Sequence, residues 1–289
     1  VRTDPTPTDA KVWLITGCSS GLGRALADFV LEQGHQAIVT ATDTKSIADF
    51  AARYPKSAFP IRLDLSSKDS IERTNREALE WRGRIDVLVN NAGFGTLGAL
   101  EELNDDEMAL ALQVNVIGLH RMIRATLPSM RQRRSGHIIN VSSMLGFSAA
   151  AGFCAYATSK FAVEGMSEAL EGEVAPLGIR TTIVEPGPFR TDFRSRSARV
   201  VPPMPAYETS VGPLRRAFME TDGKQPGDPR RAAALIFEMT TMVSAPLRLP
   251  LGEVCMGQMT QKLERVRKDI EFWEEKSLAT SYPLPGDLS

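Results

Sequence analysis

Little in this chain is available for cross-linking or metal binding. Three cysteines, Cys18, Cys154 and Cys255, are scattered over 289 residues. That spacing makes neither a disulfide framework nor a zinc ligand set, and reduced thiols suit a cytoplasmic setting. The three histidines, His35, His120 and His137, lie far apart and carry no ligand spacing. They are expected in packing or surface roles, and no metal is expected. No apolar run approaches the roughly 20 residues that span a bilayer. A formal net charge of -1 gives no global attraction to nucleic acid or to an anionic membrane, so neither is expected as a partner. Residues 1–10 are polar, contain Pro5 and Pro7, lack an apolar signal core, and read as a loose leader. Repeats and low-complexity tracts are absent.

What is present is an ordinary globular composition, 43% hydrophobic and 24% charged. From Lys11 to Glu185, β-type apolar runs alternate with helical patterns. The runs are Lys11–Thr16, Gln36–Ala41, Ala58–Leu63, Ile85–Asn90, His137–Ser142 and Ile179–Glu185. The helical stretches are Gly21–Gly34, Thr44–Tyr54, Lys68–Trp81, Asp105–Arg133 and Tyr156–Ala175. Near-continuous apolar strands such as Val87-Leu88-Val89 suit a sheet buried on both faces. Their alternation with helices predicts an α/β fold with a doubly wound parallel sheet. After Pro186 the pattern loosens. Residues 190–229, rich in proline, arginine and glycine with one helical stretch near Val211–Thr221, read as a lid. A helix over Arg230–Val243 and a short strand at Arg248–Leu251 follow. Residues 256–289 form a helical extension, with Leu263, Val266, Ile270 and Trp273 on one stripe that docks on its own domain or on a neighbour.

Several short motifs carry chemistry. Thr16-Gly17-Cys18-Ser19-Ser20-Gly21-Leu22-Gly23 joins the first strand to the first helix, where glycines let the backbone turn sharply against a pyrophosphate and free N–H groups face it. Asp64, after the third strand, is either an acceptor for an adenine amino group or a helix cap. Asn90-Asn91-Ala92-Gly93 ends the fourth strand, at the sheet edge where open α/β folds bind ligands. Asn115 is a polar amide among apolar helix neighbours and needs a partner, either a water chain toward Lys160 or a core contact. Ser142 and Ser143 end the fifth strand and point to opposite faces. Tyr156 and Lys160 sit one helical turn apart on a shared face. A phenol of ordinary pKa about 10 needs a neighbouring cation to move its proton near neutrality, so Lys160 is expected to lower the pKa of Tyr156. Pro186-Gly187 follows the sixth strand. Thr191 beyond it is a candidate partner for a carboxamide, or a cap.

Taken together and in this order, these residues resemble the short-chain dehydrogenase/reductase family over roughly Lys11 to Val254, and a subgroup similar to 17β-hydroxysteroid dehydrogenases and bacterial ketone reductases. The resemblance implies a Rossmann-type domain over residues 11–255 and hydride transfer at the nicotinamide. It assigns Tyr156 as acid/base, Ser143 to steady the substrate oxygen, Lys160 to hold the nicotinamide ribose, and Asn115 to keep a relay water. Cofactor contacts are expected from Gly17, Ser19, Ser20, Gly21, Leu22, Gly23, Thr42, Asp64, Leu65, Asn91, Ala92, Gly93, Tyr156, Lys160, Pro186, Gly187 and Thr191. Expected substrate walls are Phe94, Met144, Leu145, Phe147, Phe153 and Phe189, an apolar set suited to a medium-sized hydrophobic or aromatic ketone or secondary alcohol. The cofactor is NADP or NAD. Ala41 and Thr42 stand where relatives mark that choice, and neither marker is present. Asp43 argues for NAD by repelling a 2′-phosphate, Lys45 or Arg24 would attract one, and the subgroup tips the expectation to NADP. A homodimer or homotetramer is expected, packed through the helices near Asp105–Arg133 and Tyr156–Ala175. The alternatives are a non-redox or sensor role for a dinucleotide-binding fold, and an epimerase or dehydratase that passes through a transient ketone.

Overall fold

A computed structural model describes residues 10–282; the expected leader therefore lies, save Ala10, outside the described residues. Seven parallel strands form the central sheet: β1 (Val12–Ile15), β2 (Gln36–Ala41), β3 (Ala58–Arg62), β4 (Val87–Asn90), β6 (Gly136–Val141), β7 (Ile179–Pro186) and β9 (Arg248–Leu251). Their order is β3-β2-β1-β4-β6-β7-β9, a doubly wound arrangement whose order reverses beside β1, where such sheets open a crevice at their carboxyl ends.

Alternation along each strand builds two cores. Trp13, Ile15, Val39, Val89 and Ile139 face one side and meet α1 (Gly21–Glu32), α2 (Ala48–Arg53) and α8 (Pro229–Thr241) through Leu26, Val30, Phe50 and Ile236. Val12, Leu14, Ile38, Leu88 and Ile138 face the other and meet α3 (Lys68–Arg82), α5 (Leu119–Arg133) and α6 (Cys154–Val174) through Ile71, Met122, Ile123, Val163 and Leu170. Helix ends follow local chemistry: Ser67 caps α3 by accepting from Ser70 N–H at 3.2 Å, Gly83 closes it in a left-handed conformation, and Asp228 caps α8 with proline at its first position.

Three departures from the sequence expectation matter. The helix expected over Asp105–Arg133 is divided into α4 (Asp105–Leu112), a π-type stretch Gln113–Gly118 and α5; the irregular turn carries Asn115, and such bulges recur at functional sites. A second, two-stranded parallel sheet pairs β5 (Gly95–Leu97) with β8 (Ala198–Val200). β8 belongs to the expected lid, whose one regular α-helix is α7 (Gly212–Glu220). The last helix starts earlier than its apolar stripe indicates: α9 runs Glu253–Leu278, buries Cys255 and Met259, and leaves Leu263, Val266, Ile270 and Trp273 exposed. The stripe does not dock on its own domain. Among the described residues no helix is long and apolar enough to cross a membrane.

Candidate active site

The carboxyl ends of β1, β4, β6 and β7 open into one cavity of about 600 Å³. At one end lies the glycine turn. Gly17 adopts φ +76°, and a Cβ there would sit 2.9 Å from Ala92 Cα, so a side chain is excluded by conformation and by space. Gly23 does not line the cavity; a Cβ on it would overlap Asn91 Nδ2 and Gly17 O, so it serves helix-to-turn packing. Ser20 precedes α1 without a side-chain cap, leaving the first N–H groups of that helix turned toward the cavity with the positive end of the dipole.

The Asn-Asn-Ala-Gly segment braces this turn. Asn91 Nδ2 donates to Thr16 O (2.8 Å) and Gly17 O (3.2 Å), while Thr16 Oγ1 accepts from Asn91 N and Ala92 N, each at 2.9 Å. Asn90 Nδ2 donates to Asn140 Oδ1 at 2.8 Å, and Asn140 Nδ2 to Ser167 Oγ at 2.8 Å, tying β4 to β6 and α6. Asp64 borders the cavity and accepts from Ser66 N and Oγ. It closes a turn ahead of the Ser67 cap. The Ser66 hydroxyl and N–H, with Arg62, hold its carboxyl below the usual range against burial.

At the other end, Ser143, Tyr156 and Lys160 meet. Lys160 Nζ donates to Val141 O at 2.8 Å and lies 5.7 Å from the Tyr156 ring. Ser143 Oγ accepts from Leu145 N at 3.1 Å. Burial pushes the Tyr156 phenol up to about 12, and the hydrogen bond with Ser143 draws the other way. Burial also lowers Lys160 to about 8, opposed by the charge of Glu164. The expectation was that Lys160 lowers the tyrosine; here burial raises the phenol, and the group that draws it down is Ser143, with Lys160 Nζ bonded to Val141 O instead.

Asn115 is buried, and its amide is fully engaged by protein. Nδ2 donates to Phe94 O (2.9 Å) and Ser159 Oγ (3.0 Å), and Oδ1 accepts from Phe94 N at 3.1 Å. Its side chain fixes the Gly93–Phe94 turn and the Tyr156 helix relative to each other.

The structure brings to this cavity Gly17, Ser19, Ser20, Gly21, Leu22, Thr42, Asp64, Leu65, Asn91, Ala92, Gly93, Pro186, Gly187 and Thr191, and also Phe94, Met144, Leu145, Phe153 and Phe189. Ser142 also borders the cavity, but its hydroxyl is buried without a partner beside Gly146, whereas the Ser143 hydroxyl reaches Tyr156. Phe147 is outside: its ring lies under the Arg248 guanidinium, 5.3 Å away, where Arg248 also pairs with Glu164, Glu168 and Glu185. Burial and the nearby Glu164 charge raise Glu185 to about 7 despite its arginine partner. Sequence reading missed Phe193, Leu214 and Phe218, which complete the apolar wall. The helical spacing of Leu214 and Phe218 within a proline- and arginine-rich segment was the one signal available. Near Thr42, Arg24 is tied to Asp49 and to Ser46 O, whereas Arg62 Nε donates to Thr42 O at 3.2 Å. Cys18 and Cys255 are buried thiols pushed up to about 12 and about 11, protonated and inert at neutral pH.

A phosphate-receiving turn at the switch point of a doubly wound sheet, opening onto an enclosed tyrosine, serine and lysine, defines a dinucleotide-dependent α/β enzyme. Residues 11–200 match the family model for short chain dehydrogenase. Oxidoreductase BOA17 of Botryotinia fuckeliana is 34% identical over 272 residues, 94% of this chain and 99% of that protein. Human 17-beta-hydroxysteroid dehydrogenase type 1 is 38% identical over 194 residues, 64% of this chain and 58% of that protein. A crystal structure of a short-chain dehydrogenase from Streptomyces avermitilis is 43% identical and superposes with a TM-score of 0.90, covering 94% of this chain and 99% of that one. The chain belongs to the short-chain dehydrogenase/reductase family of oxidoreductases.

Proposed function

We propose that the protein interconverts a secondary alcohol and a ketone of medium size and hydrophobic or aromatic character, with a nicotinamide dinucleotide as hydride donor or acceptor. The observation that carries this reading is the convergence of Tyr156, Ser143 and Lys160 at the apolar end of a cavity whose other end is a glycine turn with open helix N–H groups. The cradle fits the cofactor: Gly17 leaves no room for a side chain, and α1 offers uncapped donors to a pyrophosphate. Lys160, Thr191 and the Pro186-Gly187 edge would hold the nicotinamide half, and Thr42, Asp64 and Leu65 the adenosine half. The bound nicotinamide supplies or accepts the hydride.

The chain's own groups act on the oxygen. Ser143 Oγ and Tyr156 Oη each donate to the carbonyl oxygen, and their bonds strengthen as negative charge develops there. Tyr156 then passes its proton to that oxygen. A phenol held near 12 stays protonated at neutral pH, the form that serves reduction. Alcohol oxidation runs through the same group, with Tyr156 taking up the proton as its phenolate. Phe94, Phe153, Phe193 and Phe218 surround the carbonyl's substituents and exclude water. NADP is preferred over NAD on the ground that Ala41 stands where a carboxylate would repel a 2′-phosphate, with Thr42 next to it and Arg62 bonded to the Thr42 carbonyl. The molecule acts in the cytoplasm as a homodimer or homotetramer, a reading supported by the exposed Ile117 and Phe161 on the helical layer and by the uncovered stripe of α9.

Tyr156→Phe tests the assignment. Loss of the proton donor should cut ketone turnover by about 10²–10⁴-fold, while NADPH binding, read by fluorescence titration, stays within about twofold because the pyrophosphate cradle is untouched. Turnover that survives the change would remove Tyr156 from the reaction.

A further inference from the structure

The chain leaving β4 and the chain leaving β7 are interlocked behind the apolar end of the cavity, where Leu97 and Ala198 share a cluster with Phe153, Tyr156 and Phe218. Register pairs Gly95 with Ala198, Thr96 with Arg199 and Leu97 with Val200, and Val201 N donates to Leu97 O at 3.0 Å. Beyond this short sheet stands Glu102. Its neighbour Leu100 is exposed, yet the Glu102 side chain is 0% exposed. The carboxylate accepts from Ala99 N (2.6 Å) on its own turn, and from Met204 N (2.7 Å) and Arg215 (2.6 Å) across the gap. The Arg215 side chain is itself 13% exposed. Burial works to raise the Glu102 carboxyl, but the two N–H groups and Arg215 overcome it and hold it below the usual range. Charge is balanced and both Glu102 oxygens are engaged, with Arg215 Nε alone left without a partner, which is close to the condition for a buried pair to hold a structure together. Tyr207 OH donates to the adjacent Glu101 at 2.5 Å.

What this junction holds is the aromatic wall. Arg215 sits on α7 between Leu214 and Phe218, which are one turn apart and face the cavity. Phe218 packs on Phe153 with ring centroids 5.7 Å apart, and Phe153 on Tyr156 at 6.4 Å. Phe193, at the start of the same segment, lies 5.7 Å from the Tyr156 ring. It fits there because position 95 has no side chain: a Cβ on Gly95 would stand 2.7 Å from Phe193 Cζ.

Resting on the ketone–alcohol reading above, we propose that Glu102 is a positioning residue that pins the segment from Phe193 to Phe218 against the body, so that Phe193, Leu214 and Phe218 hold the substrate carbonyl at Tyr156. Glu102 touches neither substrate nor cofactor. The pyrophosphate cradle lies on other elements, and only Thr191, which accepts from Phe193 N at 3.3 Å, joins the nicotinamide end to the pinned segment; the pin therefore acts chiefly on substrate.

Glu102→Ala and Glu102→Gln in the full chain test this with three readouts. In Glu102→Ala the KM for the ketone should rise about tenfold or more with a fall in kcat, as a displaced wall loosens the reacting geometry. The Kd for NADPH should stay within about twofold. Trypsin should cut at the exposed Arg196 and Arg199 about tenfold faster, because the segment opens locally, while Tm moves only by a few degrees. Glu102→Gln, which keeps an acceptor for the backbone N–H groups and loses the charge, should fall between. Wild-type KM and wild-type cleavage in Glu102→Ala would overturn the proposal. So would a joint rise in KM, NADPH Kd and thermal instability, which would make Glu102 a general structural residue. If the wild type reduces no ketone, the ketone–alcohol reading fails, and the cleavage and NADPH measurements still decide the pin.

Discussion

Burial moves Tyr156 and Lys160 in opposite directions, and the consequences are measurable residue by residue. Lys160 falls to about 8 while Tyr156 rises to about 12. Below pH 8 the lysine carries its charge in the folded protein; as pH rises through 8 it loses the proton while the tyrosine remains neutral. Ketone reduction at saturating NADPH should therefore hold steady from pH 6 to about 7.5 and decline with a midpoint near pH 8. A decline only above pH 10 would assign the limb to Tyr156. The spacing of the two residues along a helix was legible in the sequence. Their enclosure was not, because it needs Phe193 and Phe218, which come from a distant segment and close on Tyr156 together with the neighbouring Phe153. Arg62 is a second case. Its bond to Thr42 O comes from the pairing of β2 with β3, and the cations nearer in sequence are Lys45 and Arg24, of which Arg24 is held by Asp49. Arg62→Ser should raise the KM for NADPH about tenfold and leave that for NADH unchanged; equal effects on both would place Arg62 outside the adenosine end.

At the scale of elements, the glycine turn and the first helix act as one piece with the end of β4. Gly23→Ala puts a methyl group into Asn91 Nδ2 and Gly17 O. Overpacking of that kind costs about 1–3 kcal/mol, and it falls on the turn itself. NADPH affinity, read by fluorescence titration, should drop about tenfold or more, and an unchanged affinity would show that the turn has slack. The large strands and helices were legible because each repeats one period over many residues. β5 and β8 were not: three residues each, they exist by pairing across about a hundred residues of chain. The π-type turn at Gln113–Gly118 was equally hidden, since Asn115 is drawn out of α-helical register by partners on Phe94 and Ser159. Its polarity among apolar neighbours marked the position. Its role as a brace between the β4 turn and the Tyr156 helix needed the fold.

For the whole molecule, two buried groups set opposing pH dependences. His137 is lowered from 6.5 to about 3, chiefly by burial, with Arg180 and Lys11 adding to it. The unfolded chain binds the extra proton between those values, so this term takes stability away as pH falls from 6.5 toward 3. Glu185 is raised from 4.5 to about 7. Here the folded protein binds the extra proton, and stability is lost as pH rises from 4.5 to 7. The two offset between 4.5 and 6.5. Glu185→Gln removes one side, so its urea midpoint should fall between pH 7 and pH 5 while the wild type stays level; parallel behaviour of the two proteins would remove Glu185 from the balance. The exposed stripe on α9, legible as amphipathic from its spacing, is likewise a whole-molecule feature, because nothing among the described residues covers it.

Transfer of label tests the central claim most directly. Reduction of an aryl ketone with NADPH carrying deuterium at C4 of the nicotinamide, followed by mass spectrometry of the product, should place one deuterium on the carbinol carbon in wild type and none in Tyr156→Phe over the same interval. A product carrying hydrogen from solvent at that carbon, or no consumption of the labelled NADPH while both proteins bind it, would contradict hydride transfer at this site and point to the epimerase or non-redox alternatives.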